Sequence, residues 1–114
     1  MNLIFKIVGA DEWRTAETAG VFEGAAVDRA DGYIHFSTAL QAAETAAKWF
    51  AGRDDLVLIA VDGDALGLAL RWEPSRGGAL FPHLYAPLPL STVRWTRALP
   101  IGAGGRHDFG DLGA

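Results

Sequence analysis

Cysteine is absent from the 114 residues, which excludes a disulfide-stabilised scaffold, a thiol nucleophile and a zinc site with cysteine ligands. No apolar run approaches the roughly 20 residues of a transmembrane helix. Lys6 interrupts the apolar N-terminus, so we expect neither a membrane span nor a signal peptide. Excess positive charge is also missing: the net charge of −4 argues against a general nucleic-acid coat or an anionic membrane as partner. These absences favour a cytoplasmic protein.

The length of 114 residues is typical of a single domain, which we place over residues 1–114, with a glycine-rich tail from about residue 101. Half of the residues are apolar and 21% are charged, which is enough apolar content for a packed core. The second half of the chain carries five arginines among few acids, at Arg71, Arg76, Arg94, Arg97 and Arg106. They indicate either a local anion-binding surface or charges dispersed over a solvated surface.

Alternation and apolar runs predict five or six strands, at about residues 3–8, 33–37, 56–61, 70–73, 80–85 and 93–99. The uninterrupted apolar run at 56–61 predicts an interior strand that is covered on both faces. Pro82 places the strand at 80–85 at a sheet edge, because proline has no N–H to donate. Residues 21–30 are predicted to form a loop.

Two helices are predicted, and both come early in the chain. The first covers about residues 11–19, and the second begins after Thr38, which has capping-box spacing with Gln41. Its apolar residues repeat on a 3.6-residue period and predict an inner face of Leu40, Ala43, Ala47 and Phe50. Helices and strands do not alternate strictly, so an α+β fold is favoured over a doubly wound sheet.

His35 is the most informative candidate for chemistry. It lies on the polar face of its strand with Tyr33 and Ser37, immediately before the N-terminus of the second helix. A histidine there can hydrogen-bond a ligand, and the start of a helix favours anionic groups. The alternative is a half-buried histidine bonded to backbone.

A second candidate is the segment 81–85, which in extended form places Phe81, His83 and Tyr85 on one face. Aromatic rings beside a histidine can stack on a planar ligand ring and hydrogen-bond its edge. The alternative is an aromatic edge strand packed on the core. Two histidines fall short of the three protein ligands usual for catalytic zinc, and His107 lies in the tail, so no metal site is expected.

Glu73 is a third candidate, either as a general base or as a ribose-binding carboxylate. It precedes a loop in which backbone amides and Arg76 can cradle a phosphate. The alternative is a structural ion pair with Arg71 or Arg76. The sequence has neither a dinucleotide glycine fingerprint nor a phosphate-loop lysine, and no Gly-x-Ser-x-Gly elbow of a serine hydrolase.

Several motifs together resemble a bacterial family of short uncharacterised proteins, known as domain of unknown function nine-five-two. The resemblance covers about residues 3–107 and is carried by Phe5–Lys6–Ile7, Glu12–Trp13, Asp31–Gly32–Tyr33–Ile34–His35–Phe36–Ser37–Thr38, Leu70–Arg71–Trp72–Glu73 and Phe81–Pro82–His83–Leu84–Tyr85. That family is grouped by fold with the ADP-ribosyltransferases. The resemblance therefore implies a small, mostly antiparallel split sheet with two helices, and NAD as co-substrate in the cleft between the halves of the sheet.

The same resemblance implies roles for individual residues. The run from Tyr33 to Ser37 is similar to the second-strand motif of the RNA 2′-phosphotransferases, which implies that His35 contacts the ribose next to nicotinamide. Lys6–Ile7–Val8 stands where that superfamily has histidine, glycine and threonine, so Lys6 is a candidate ribose or phosphate contact. The superfamily has a further catalytic residue at a third position, often a glutamate. His83 is the first candidate for this position and Glu73 is the second.

Three functions remain open at this point. The first is an NAD-using transferase with an RNA or protein acceptor, in which Tyr33 or Tyr85 stacks on the ring, and Arg71 and Arg76 bind the diphosphate. The second is a module of the same fold that binds a nucleotide or small anion without turnover. The third is an interaction domain without a small ligand. A monomer or a weak homo-oligomer is expected, with no membrane partner.

Overall fold

Three α-helices and eight antiparallel strands make up the computed structural model over the residues it describes, which are 2–112 without the side chain of Arg76. In chain order they are β1 (Leu3–Gly9), α1 (Ala10–Ala19), β2 (Val21–Phe22), α2 (Ala26–Asp31), β3 (Ile34–His35), α3 (Ala39–Trp49), β4 (Leu56–Asp62), β5 (Leu70–Pro74), β6 (Leu80–Leu84), β7 (Leu88–Pro89) and β8 (Val93–Ala98). Short 3-10 turns occupy Gly63–Ala69, Arg76–Gly78, Leu90–Thr92 and Ala103–Gly105. The predicted α+β class is confirmed. Within residues 2–112, no helix combines the length and the apolar character needed to cross a membrane.

The first sheet has the order β1-β4-β8, so the apolar strand β4 lies in its centre, as its sequence predicts. Alternate residues of β4 enter two different buried clusters. Ile59 and Val61 pack with Trp13, Phe22 and other residues on one face, while Leu56, Leu58 and Ala60 pack on the other. Burial on both faces explains why this strand has no polar alternation.

The second sheet has the order β3-β6-β5, and here the prediction for Pro82 is wrong, because β6 is the central strand. The carbonyl of Pro82 accepts from the N–H of Phe36, just past the end of the two-residue strand β3. In an antiparallel strand the N–H and C=O of one residue point to the same neighbour. Pro82 lies opposite Phe36, beyond the end of β3. Its missing N–H therefore removes no hydrogen bond within the β3–β6 pair, and proline at this position costs little stability.

Strands β2 and β7 form a separate two-stranded sheet. Within residues 2–112, the two three-stranded sheets are joined by one bridge, in which the backbones of Phe5 and Ser37 exchange hydrogen bonds of 2.8 Å. Away from this bridge, β1 and the segment that holds β3 are not paired in the described residues. The antiparallel, divided sheet is thus the observed architecture. It leaves a cleft between β1 and β3.

Residues 21–30, predicted to be a loop, instead contain β2 and the six-residue helix α2, which makes three α-helices among residues 2–112 rather than two. Helix α2 ends at Gly32, whose positive φ of 87° suits a residue without Cβ. This helix matters because it carries Asp28, a buried carboxylate that the sequence did not single out.

The second predicted helix, α3, begins with the expected capping box: the Thr38 hydroxyl accepts from the Gln41 N–H, and the Gln41 amide oxygen accepts from the Thr38 N–H. Its predicted inner face is wrong at Leu40, Ala43 and Ala47, which are exposed, and holds for Phe50, which packs against a buried cluster. Ala42 and Ala46 are buried, whereas Leu40 is 96% exposed. Small alanines let the helix lie close to the first sheet, so they occupy the inner face instead of the larger apolar residues.

Candidate functional site

The cleft between the sheets forms a cavity of about 520 Å³, a volume within the range of small-molecule sites. Residues of β1, of the segment 33–37, of α3 and of β6 form its walls. Its apolar and aromatic lining consists of Phe5, Ile7, Val27, Phe36, Trp49, Phe50 and Phe81. The polar groups among them are Lys6, Asp31, Tyr33, His35, Ser37, Thr45, Ser75 and His83.

The two candidate histidines lie side by side in this cavity. His35 and His83 are register partners in the antiparallel pair β3–β6, and their ring centroids are 5.6 Å apart at 67°. Strand pairing therefore brings together two residues that are far apart in the sequence. Both imidazoles therefore line the same cavity.

His35 is fixed by a buried carboxylate. Its Nδ1 lies 2.6 Å from Oδ1 of Asp28, and its backbone N–H donates to the same oxygen at 3.1 Å. Its Nε2 lies 2.9 Å from Oδ2 of Asp31. Both ring nitrogens of His35 therefore lie against carboxylate oxygens. The alternative of a half-buried histidine bonded to backbone holds for the burial but not for the partners of the ring, which are carboxylates.

Asp28 also holds Lys6, whose Nζ lies 3.0 Å from Oδ1 and 2.9 Å from Oδ2. Burial by itself raises the pKa of Asp28, but the hydrogen bond from His35, the charge of Lys6 and the N–H of Ala25 outweigh it and lower that pKa to about 2. Burial also lowers the pKa of Lys6 below its ordinary value, although Asp28 opposes this. One buried carboxylate thus organises a lysine and a histidine at the cavity wall.

Nothing in the sequence identified Asp28. It lies in a segment with loop composition, and a fully buried aspartate is rare. The only local signal is its position three residues after Ala25, whose N–H donates to Oδ2 at 2.8 Å at the start of α2. The long-range partners Lys6 and His35 determine its role, and neither partner can be assigned from spacing.

His83 forms the second histidine–carboxylate pair. Its Nδ1 lies 2.8 Å from Oε1 of Glu73, and the hydroxyl of Tyr85 donates to the same oxygen at 2.7 Å. The hydrogen bonds from Tyr85 and then His83 lower the pKa of Glu73, and the bond to Glu73 raises the pKa of Tyr85. Glu73 therefore binds the second candidate histidine, in addition to any role as an ion-pair partner.

Tyr33 lies against both imidazoles. Its ring centroid is 4.2 Å from that of His83, 4.6 Å from that of His35 and 5.2 Å from that of Tyr85. Desolvation, followed by the nearby charges of Asp31 and Glu73, raises the pKa of Tyr33. The predicted stacking residues are thus grouped around the histidines.

A second hollow of about 390 Å³ lies on the other side of Tyr33. Its lining includes Arg29, Tyr33 and Tyr85. Tyr33 is therefore a common wall of the two hollows, and the second contains Arg29 together with the acids Glu23 and Asp28.

The remaining predicted site residues differ in position. Ser37 lines the large cavity, and its hydroxyl lies 2.9 Å from that of Thr45. Arg71 places its guanidinium 4.7 Å from the centre of the Tyr85 ring and is not part of either lining as described. The side chain of Arg76 lies outside the described residues. Within the described part of the chain, no three histidine, aspartate or glutamate side chains are grouped to hold a metal ion.

The chain belongs to the family described as "Protein of unknown function (DUF952)", whose model matches residues 7–96. The resemblance seen in the sequence motifs is therefore confirmed. No curated protein matches the chain.

Solved structures of protein CC0527 from Caulobacter crescentus are similar to this chain. The crystal structure has a TM-score of 0.91 at 54% sequence identity and covers 95% of each chain. The solution NMR structure has a TM-score of 0.86 at 54% identity and covers 96% of this chain and 95% of that one. The described fold is thus one that a homologue adopts both in a crystal and in solution.

Proposed function

We propose that this protein is an NAD-consuming enzyme of the ADP-ribosyltransferase type, which breaks the bond between nicotinamide and ribose in the large cavity. Two antiparallel sheets that share the single bridge at Phe5 and Ser37 suit the split sheet of that fold class. RNA and protein are the acceptor classes that the resemblance implies. Fold similarity alone does not establish an activity, so the proposal is argued from the site.

One observation carries the proposal: two imidazoles converge on one aromatic cavity, and a carboxylate fixes Nδ1 of each. A carboxylate at Nδ1 fixes the orientation of each ring, and at His35 the other nitrogen, Nε2, lies 2.9 Å from Oδ2 of Asp31. Such pairs act in proton transfer and in binding hydroxyl groups. A purely structural histidine needs neither a second histidine beside it nor an adjoining cavity.

The residues of the two hollows have different roles in this reaction. Nε2 of His35 and Oδ2 of Asp31 are bonded to each other and must exchange that bond for bonds to ribose hydroxyls when the ligand enters. Tyr33 and the aromatic wall provide a surface for a planar ring. The carboxylate of Asp31 lines the cavity and can stabilise positive charge that develops on a ribose bound there. Arg29 in the second hollow suits the phosphate groups of a two-part ligand, because guanidinium binds phosphate through paired donors.

The test is nicotinamide release from NAD, measured by chromatography with and without RNA and protein acceptors. We expect release by the unaltered protein and a loss of about 100-fold or more in His35→Gln and in His83→Gln, because general acid–base groups contribute at least this much. His107→Gln is the matched control, since His107 bonds the Arg53 carbonyl outside the cavity. Melting curves of all variants separate lost chemistry from lost folding.

Absence of both NAD binding and nicotinamide release would overturn the proposal. Equal release by the His35, His83 and His107 variants would also overturn it, because it would place the reaction outside the cavity. Neither result depends on knowing the natural acceptor, since water can accept the ribose in slow hydrolysis.

A second candidate, a nucleotide-binding module without turnover, is favoured by a specific observation. The carboxylates nearest the imidazoles are each bonded to protein groups: Asp28 to Lys6 and His35, Asp31 to His35, and Glu73 to His83 and Tyr85. An unaltered ligand that stabilises the protein by about 2.7 kcal/mol at 100 times its Kd supports this candidate. His35→Gln should abolish that stabilisation, and nicotinamide release separates the two functions.

A further inference from the structure

Lys6 offers chemistry that the proposed reaction does not use. It lies in the middle of β1, its side chain is 7% exposed, and it lines the large cavity. Most lysines keep their ammonium groups in water, because desolvating a charge is costly. A buried lysine at the wall of a ligand-sized cavity is therefore an unusual placement.

The surroundings of Lys6 permit the neutral amine. Burial lowers the pKa of Lys6, which increases the fraction of free amine at neutral pH. Loss of that proton does not leave Asp28 unpaired, because the imidazole of His35 lies 2.6 Å from the same carboxylate. The site can therefore hold Lys6 in either protonation state, with one donor always facing Asp28.

We propose that Lys6 is a carbonyl-binding site, at which its amine condenses with an aromatic aldehyde that enters the cavity. Free amines of lysine form imines with carbonyl compounds, and desolvation in an apolar pocket activates them. The aromatic preference follows from the walls, where Phe5, Trp49, Phe50 and Phe81 offer ring surfaces.

The reaction balances without any further reactant. The amine nitrogen adds to the carbonyl carbon, and the carbonyl oxygen takes up a proton to give a carbinolamine. The carbinolamine then loses its hydroxyl group with a proton as one water molecule, and a carbon–nitrogen double bond forms. The proton first released by the ammonium passes to solvent, and His35 and Asp28 remain paired throughout.

The chain provides its own control, because it contains only two lysines, Lys6 and Lys48. Lys48 lies on the exposed face of α3 and is not part of the cavity lining. The probe is benzaldehyde with sodium cyanoborohydride, which delivers hydride to the imine carbon and leaves a stable benzylamine. Peptide mass spectrometry then measures labelling of each lysine over time.

We expect Lys6 to be labelled several-fold faster than Lys48, because burial lowers the pKa of Lys6 and the cavity holds the aromatic aldehyde beside it. The ratio should be smaller with acetaldehyde, which has no ring to stack. Lys6→Arg keeps the positive charge beside Asp28 and should lose this adduct, whereas Lys48→Arg should leave the labelling of Lys6 unchanged.

Labelling of Lys48 as fast as Lys6, or no label on Lys6, overturns the proposal. If Lys6→Arg fails to fold, the ratio of the two lysines in the unaltered protein still decides the question. Labelling needs no NAD and nicotinamide release needs no aldehyde, so the two proposals can fail independently.

Discussion

The two histidine–carboxylate pairs consist of the same kinds of groups with opposite burial. In the first pair the Asp28 side chain is 1% exposed and His35 is 32% exposed. In the second pair His83 is 6% exposed and Glu73 is 34% exposed. The first pair also includes the buried Lys6, whereas the second includes the hydroxyl of Tyr85. Burial of the carboxylate, more than the hydrogen bond itself, should decide what each pair contributes to stability.

Removal of the buried charge should have the largest effect. Asp28→Asn leaves the ammonium of Lys6 buried without its carboxylate, and we expect the free energy of unfolding to fall by about 3–5 kcal/mol. Denaturant titration measures this loss. Asp11→Asn is the control, because Asp11 pairs with Arg14 on the exposed face of α1 and should change stability little. Equal losses in the two variants would refute the importance of burial.

Acid should weaken the first pair in a defined range of pH. The folded pKa of Asp28 is about 2 and the ordinary value is 3.8, so its contribution is complete above about pH 4 and disappears as the pH falls towards 2. The difference corresponds to about 2 kcal/mol of unfolding free energy. Denaturant titrations from about pH 5 to about pH 2 should show the unaltered protein losing more stability than Asp28→Asn. Parallel curves for the two proteins would contradict this assignment.

Glu73→Gln should destabilise the protein much less than Asp28→Asn, although each substitution removes a carboxylate charge beside a histidine. The glutamine oxygen still accepts hydrogen bonds, and solvent reaches the carboxylate of Glu73 in the folded protein. Denaturant titration of the two variants under the same conditions measures the difference. A loss in Glu73→Gln as large as that in Asp28→Asn would show that burial of the carboxylate is not decisive.

The smallest expected effect is a change in the pKa of Tyr85. The hydrogen bond to Glu73 raises the pKa of Tyr85, so Glu73→Gln should lower that pKa towards the ordinary 10.0. Ultraviolet titration of tyrosine ionisation measures the change, and Tyr85→Phe identifies the transition that belongs to this residue. An unaltered transition in Glu73→Gln would mean that the bond is not maintained in solution.

The strands were predicted well where local pattern and tertiary burial agree. The apolar run at 56–61 could only be an interior strand, and alternation at 33–37 placed Tyr33, His35 and Ser37 on one face. The capping box at Thr38 and Gln41 marked the start of α3 because both partners lie within one turn. In these cases the residues that determine the structure are neighbours in the chain.

Prediction failed where distant residues decide the outcome. Leu40 is apolar, yet the first sheet accepts the smaller Ala42 and Ala46, so a helical period by itself could not select the inner face. Pro82 is tolerated in a central strand because β3 is only two residues long. The carboxylate of Asp28 is buried because Lys6 and His35 compensate its charge, and both lie far from it in sequence.

The amino-acid sequence alone determined the fold class and the family, and it selected His35 and His83 as candidate site residues. Each of these follows from local periodicity or from short motifs. Only the tertiary structure decided that strand pairing places His35 against His83, and that one carboxylate from α2 joins the lysine of β1 to the histidine of β3. The physical reason is that hydrogen bonds and desolvation act over a few ångströms in space, regardless of separation along the chain.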